Sequence, residues 1–221
     1  MTALSGVLGP SSSTLSGASA IGFAALIAGL NAILVPAGAP TPGAGTAEAV
    51  NFYDSSALML WAGSVMPLAW VFSTLFAAGV LARVGGTSSQ PWALVGFGGV
   101  LAQNVTFTIV IGIRLAMARA GEHEGADLLW NLHEALFGLN GTFLALAMVG
   151  FSLAGRASAV IGRLHTGIGF VGAVLLILSA CLTPVVMSGN SAAGLFGLTG
   201  WLLWVGWLIA YGVRLVCSKR G

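Results

Sequence analysis

Charge is what this chain has least of. Only 6% of its 221 residues are Asp, Glu, Lys or Arg, against 57% hydrophobic. An ordinary soluble domain carries about 25% charged residues. A chain this apolar cannot cover itself with polar surface, so its solvent is expected to be lipid. At roughly 20 apolar residues per span, the length allows roughly five to seven spans and no sizeable soluble domain. The net charge of +2 and the absence of any basic run exclude nucleic acid as an expected partner.

Cysteine is nearly absent too. Cys181 and Cys217 fall near opposite ends of their spans, so a disulfide between them is not expected. Without a C-x-x-C pair, a thiol-redox membrane enzyme of that type is excluded. Other signatures are also missing: no G-x-S-x-G, no H-E-x-x-H, no P-loop, and no G-x-G-x-x-G opening a helix after a strand. His133-Glu134 begins the zincin pattern, but position 137 is Phe137. No cytoplasmic loop is long enough for a nucleotide, so ATP-driven transport would need a partner chain. No cofactor and no metal are expected. His133 and His165 sit at opposite ends of their spans, too far apart in depth to share a haem. Glu122, His123 and Glu124 are sequence-adjacent loop residues and a poor ligand set.

What is there divides into six apolar stretches. The expected spans are residues 20–35, 57–81, 92–117, 128–153, 164–187 and 193–213. The first is preceded by a Ser/Gly-rich segment, residues 1–18, with no charged side chain. A secretory signal wants a basic start, so the first span is read as retained; cleavage near residues 37–39 is the alternative. Residues 19–216 form one transmembrane domain, and 217–221 a short basic tail. Pro67 is an expected kink in span 2. Residues 36–55 hold Pro36, Pro40, Pro42 and several glycines and are expected to be the longest loop, mobile at its Pro/Gly part and anchored at Phe52-Tyr53. Residues 72–83 and 143–156 resemble each other, as a duplicated hairpin would or as shared Leu/Ala/Gly composition would.

Six spans place both termini on one side. Arg83, Arg156, Arg163, Arg214, Lys219 and Arg220 then share that side, against Arg119 and Arg114 toward the other. Basic residues concentrate in cytoplasmic loops, so both termini are expected to be cytoplasmic in the cell membrane.

The hairpin of residues 92–153 carries the chemistry. Arg114 lies inside its first helix, and His133 and Glu134 inside its second. Charges within apolar spans are costly and usually mark a pathway, a site or a mutual pair. Arg114 is five residues below Arg119, roughly 7 Å, and Glu134 seven below Asp127, roughly 10 Å. Similar depth on antiparallel neighbours predicts a hydrogen-bonded ion pair between them. Gln103, Thr106, Val110 and Arg114 recur at i, i+3, i+7, i+11, as do Asn131, Glu134, Gly138 and Thr142, so each set forms one helical stripe. Two readings stand: a structural clamp between helices, and a ligand or proton site. His133 and Asn140 are expected nearly opposite that stripe. His133 is read either as a proton carrier beside Glu134 or as an interfacial histidine near Trp130. Trp201, Trp204, Trp207 and Tyr211 share one side of span 6, for packing and lipid contact or for a ligand pocket. Asn104-Val105-Thr106 and Asn140-Gly141-Thr142 match a glycosylation acceptor, but at mid-span.

Residues 129–137, Leu-Trp-Asn-Leu-His-Glu-Ala-Leu-Phe, with the Gly/Leu/Trp-rich last span, resemble small multi-pass membrane proteins of high-GC actinobacteria. That resemblance implies a six-helix membrane protein without an assigned activity and carries over no functional residue.

The expected fold is an all-α bundle of six transmembrane helices, with the lipid bilayer as partner. Three functions fit. One is a binding or transport module for a small solute, proton or lipid-like molecule, with its site in the outer half between spans 3 and 4 and a Pro/Gly lid. The second is a membrane enzyme with Glu134 or His133 as acid/base and Arg114 holding an anion. The third is a structural or partner-binding subunit.

Overall fold

The computed structural model describes residues 11–54, 56–120 and 125–217. It is about 85% helical and has no strand among those residues. The helices are α1 (Ser11–Leu34), α2 (Thr46–Tyr53), α3 (Ala57–Arg83), α4 (Gln90–Ala120), α5 (Ala126–Leu139), α6 (Gly141–Ala157), α7 (Arg163–Cys181), α8 (Thr183–Met187) and α9 (Ser191–Cys217). Six helical stretches are long and apolar enough to cross a membrane, with α5 and α6 together making the fourth. The protein is a multi-pass membrane protein of the all-α class.

The spans pack as a ring in chain order. Each contacts the next, from α1 through α3, α4, α6 and α7 to α9, and α9 closes back on α1. Helices in lipid gain little from hydrophobic exclusion and associate through close packing and interhelical hydrogen bonds. Small residues provide the approach here. A Cβ on Gly99 would lie 2.6 Å from the Ala147 nitrogen and 2.7 Å from the Phe143 oxygen, so α4 and α6 touch backbone to backbone. The closing seam is as tight: a Cβ on Gly17 would lie 2.5 Å from the Gly212 oxygen. Ser16 donates to the Phe76 carbonyl at 2.9 Å, and Arg83 donates to Ser13 at 2.9 Å, tying α1 to α3.

The half of the ring toward the C-terminal ends of α3, α6 and α9 is filled. Phe76 of α3 packs edge-on against Phe151 of α6 and Tyr211 of α9, at 5.3 and 5.5 Å between ring centroids. Met148 and Phe23 complete that core. Trp204, Trp207 and Tyr211 are buried in it, so the aromatic side of the last span serves packing. Their sequence signal, one helical face, was compatible with a pocket because periodicity does not say what the face meets.

Four boundaries differ from the sequence expectation. The first helix starts at Ser11, within the segment read as a polar lead-in; Ser16 and Ser19 are buried against neighbouring helices there. The longest loop contains a helix, α2, whose Ala49, Val50 and Tyr53 are buried. The prolines and glycines that suggested an unbroken loop all precede residue 46. Span 4 is interrupted at Asn140, whose carbonyl accepts from both Phe143 and Leu144. Span 5 ends at Cys181, and α8 follows with Pro184 in its first turn, where a missing N–H costs nothing. The remaining spans run a few residues past their expected ends. Residues 1–10, the Glu122–His123–Glu124 cluster and the basic end of the tail lie outside the described residues.

Candidate functional site

The site lies where α4 and α5 meet beneath α2. Arg114 is half-buried on α4, and His133 and Glu134 are buried on α5. The Arg114 Nε–H donates to His133 Nε2 at 2.8 Å. Nε2 is therefore the accepting nitrogen, and in the neutral ring Nδ1 carries the proton. Nδ1 lies 3.4 Å from Glu134 Oε1, in ion-contact range but without a hydrogen bond between them. The other carboxylate oxygen, Oε2, accepts from the backbone N–H of Gly43 at 2.5 Å. The order is guanidinium, imidazole, carboxylate, backbone amide.

This corrects the expected direct pair. The ion contact at the site joins His133 to Glu134, and no Arg114 nitrogen is in ion-pairing distance of Glu134. His133 also faces Arg114 and not the opposite side. The straight-helix argument assumed that the face of Glu134 was the face toward α4. In the structure that face belongs to His133, and Glu134 turns toward the strap before α2.

Aromatic rings hold the imidazole in its plane. Trp130 stacks on one side of His133, with centroids 4.6 Å apart and planes 11° apart. Phe137 lies on the other, 5.8 Å away at 12°. These are i−3 and i+4 positions on one helix face. Trp130 Nε1–H donates to the Ala44 carbonyl at 2.8 Å, and Tyr53 of α2 lies 6.3 Å from its ring. The Arg114 Cζ stands 5.8 Å from the Phe137 centroid, a cation over a ring face.

Gly43 is the residue that lets the strap reach the site. Its φ is +86°, in the left-handed region, and a Cβ there would lie 2.6 Å from the Val186 oxygen of α8. With Gly43 on Glu134 and Ala44 on Trp130, the strap is fastened at two consecutive residues. The Pro/Gly part of residues 36–55, expected to be mobile, thus makes two contacts to α5. Tyr53 lies at the other end of α2. Burial pushes its hydroxyl above the usual 10.0; the Arg114 charge opposes this and the Glu134 charge adds to it.

The remaining stripe residues divide. Gln103, Thr106 and Val110 are buried on α4, as the i, i+3, i+7 spacing requires. Among the described residues Gln103 Oε1 has no hydrogen-bond partner, and neither has Asn140 Oδ1 at the break in span 4. Thr106 donates to its own helix at Ala102, 2.9 Å. Asn131 is exposed and Thr142 half-exposed, so the α5 stripe does not continue across Asn140. The contact between the hairpin helices below the triad is apolar, Phe107 against Phe137 at 5.9 Å. Sequence reasoning missed a polar clamp between α3 and α4: Ser73 donates to Asn104 Oδ1 at 3.0 Å, and Asn104 Nδ2 donates to Thr74 at 3.1 Å. Its signal was an amide in mid-span, set aside with the glycosylation pattern. His165, at the far end of α7, donates from Nε2 to the Trp207 carbonyl at 3.0 Å and takes no part. Among the described residues no three His, Cys, Asp or Glu side chains gather as a metal site.

Comparison of the chain with protein-family models, with curated proteins and with solved structures finds no match, so the triad and its surroundings are read on their own geometry.

Proposed function

We propose that this protein binds, and carries or senses, a small solute, proton or lipid-like molecule at the outer end of the α4–α5 seam. One observation carries the reading: an imidazole hydrogen-bonded to a guanidinium and 3.4 Å from a carboxylate, inside a membrane span, sandwiched by two aromatic rings. Ionisable groups at that depth are rare and mark function by default. A structural clamp needs only opposite charges in contact, and here the two charges are kept apart by a histidine. The interruption of span 4 at Asn140 adds support, since transporter sites sit at broken helices. Both termini are placed in the cytoplasm of a cell-membrane protein by the basic-residue bias, which puts the triad in the outer half.

The filled inner half favours a second reading, a partner-binding or structural subunit. Phe76, Met148, Phe151 and Tyr211 close the axis below the site. An enzyme acting on a lipid-soluble substrate has less support, because Glu134 is engaged by Gly43 and His133 by Arg114.

The test is thermal stability of purified protein in a non-ionic detergent, against amino acids, sugars, polyols, carboxylates and inorganic cations. A ligand of the native state raises the midpoint with the logarithm of its concentration. At least one class should raise it in the wild type and fail to do so after His133→Leu or Glu134→Gln. Shifts that survive both substitutions would overturn the site.

A further inference from the structure

We infer that the open end of Arg114 is a receptor for a singly charged oxyanion; this rests on the site reading just proposed. The guanidinium has five N–H donors in a planar fork. Among the described residues only Nε–H is engaged, by His133. Neither terminal nitrogen meets an acceptor among the described residues. The natural partner, Glu134, is withheld: Gly43 holds one of its oxygens and His133 Nδ1 faces the other. The fold thus keeps a carboxylate and a guanidinium in one cluster without letting them pair.

The geometry of the free edge sets the ligand. Two parallel N–H groups match two oxygens of a carboxylate or phosphate, and that fit is why arginine serves planar oxyanion recognition. His133 fixes the guanidinium from behind through Nε, and Phe137 lies against its face. The fork is therefore oriented before a ligand arrives. Charge limits the class. Arg114 is balanced by Glu134 when His133 is neutral, so a dianion would leave two uncompensated charges in a weakly polar environment. A carboxylate or a phosphodiester brings one. The first would be a soluble acid, the second a lipid headgroup of the outer leaflet; both offer the same edge of two oxygens.

The probes are acetate and dimethyl phosphate, with neutral acetamide as the control of matched shape. Each is titrated against the full-length protein in dodecyl maltoside, and the unfolding midpoint is read. The expected result is a rise with acetate, dimethyl phosphate or both, and none with acetamide. Acetate alone assigns a soluble carboxylate, and dimethyl phosphate alone a lipid phosphodiester. Arg114→Gln should abolish the rise. Arg114→Lys keeps the charge and loses the fork, and should weaken binding by about tenfold or more. If Arg114→Gln does not fold, the lysine variant and the acetamide control decide. Equal shifts with acetamide, or equal affinity in Arg114→Lys, would overturn the receptor. A cation or sugar whose shift depends on His133 would sink the oxyanion and leave the site reading standing. No triad-dependent shift from any class would sink both.

Discussion

At the scale of single residues, His133 is the member whose loss reaches furthest. Removing it strands the Arg114 Nε–H, and takes away the ring that stands 3.4 Å from a Glu134 carboxylate oxygen. Touching groups in one network couple by about 0.5–3 kcal/mol in double-mutant cycles, and groups that do not touch couple less. The Arg114→Leu/His133→Leu cycle should therefore give a larger coupling than Arg114→Leu/Glu134→Leu. Unfolding in mixed micelles measures both; the reverse order would restore a direct Arg114–Glu134 pair. Tyr53 offers a second reading of the same neighbourhood. Its hydroxyl ionises above 10.0 in the fold because it is buried. Below pH 10 it is neutral folded and unfolded alike, and its contribution is complete. Above about pH 10 the unfolded chain loses the proton first, so stability falls as pH rises toward the folded-state value. Tyr53→Phe should remove that part of the alkaline loss, seen as a smaller midpoint drop between pH 9 and 11.5. Identical slopes would mean that Tyr53 is not buried beside Arg114.

At the scale of elements, glycine placement separates helix contacts from lipid faces. A Cβ on Gly150 would strike the Gly96 nitrogen and lie 2.6 Å from the Trp92 oxygen, both backbone atoms that no rotamer can move. Gly150→Ala should cost about 1–3 kcal/mol by overpacking. A Cβ on Gly98 meets nothing within 4 Å. Gly98→Ala should be neutral or stabilising by up to about 1 kcal/mol, as helix propensity directs. Denaturation of the two variants side by side checks the pair, and equal effects would contradict the α4–α6 contact. The spans themselves were legible because roughly 20 consecutive apolar residues have few other uses. The α4 stripe was legible because α4 is unbroken from Gln103 to Arg114, so the 3.6-residue period holds. The α5 stripe failed at both ends: Asn131 is exposed because α5 turns His133 toward α4, and Asn140 interrupts the helix before Thr142. Helix α2 was hidden behind Pro36, Pro40 and Pro42, whose signal ends before Thr46. The Gly43–Glu134 contact joins residues far apart in the chain, and no periodicity encodes such a meeting.

At the scale of the whole molecule, the bias of basic residues makes a claim that labelling can settle. With Cys181 and Cys217 replaced by serine, a cysteine at Gly45 should react with an impermeant maleimide added from outside intact cells. Reaction only after the cytoplasmic side is opened would invert the assignment and move the triad to the inner leaflet. The ring closure of α9 on α1 bears on how the protein is made. A ribosome delivers α1 before all the other spans of the ring and α9 after them. Phe23, which stacks edge-on with Trp204 at 5.2 Å, and Gly17, which meets Gly212, wait for their partners while every intervening span emerges. The earliest-made surface of the ring is thus the last to be sealed, and quality control in the membrane meets the ring as an open crescent until α9 is inserted.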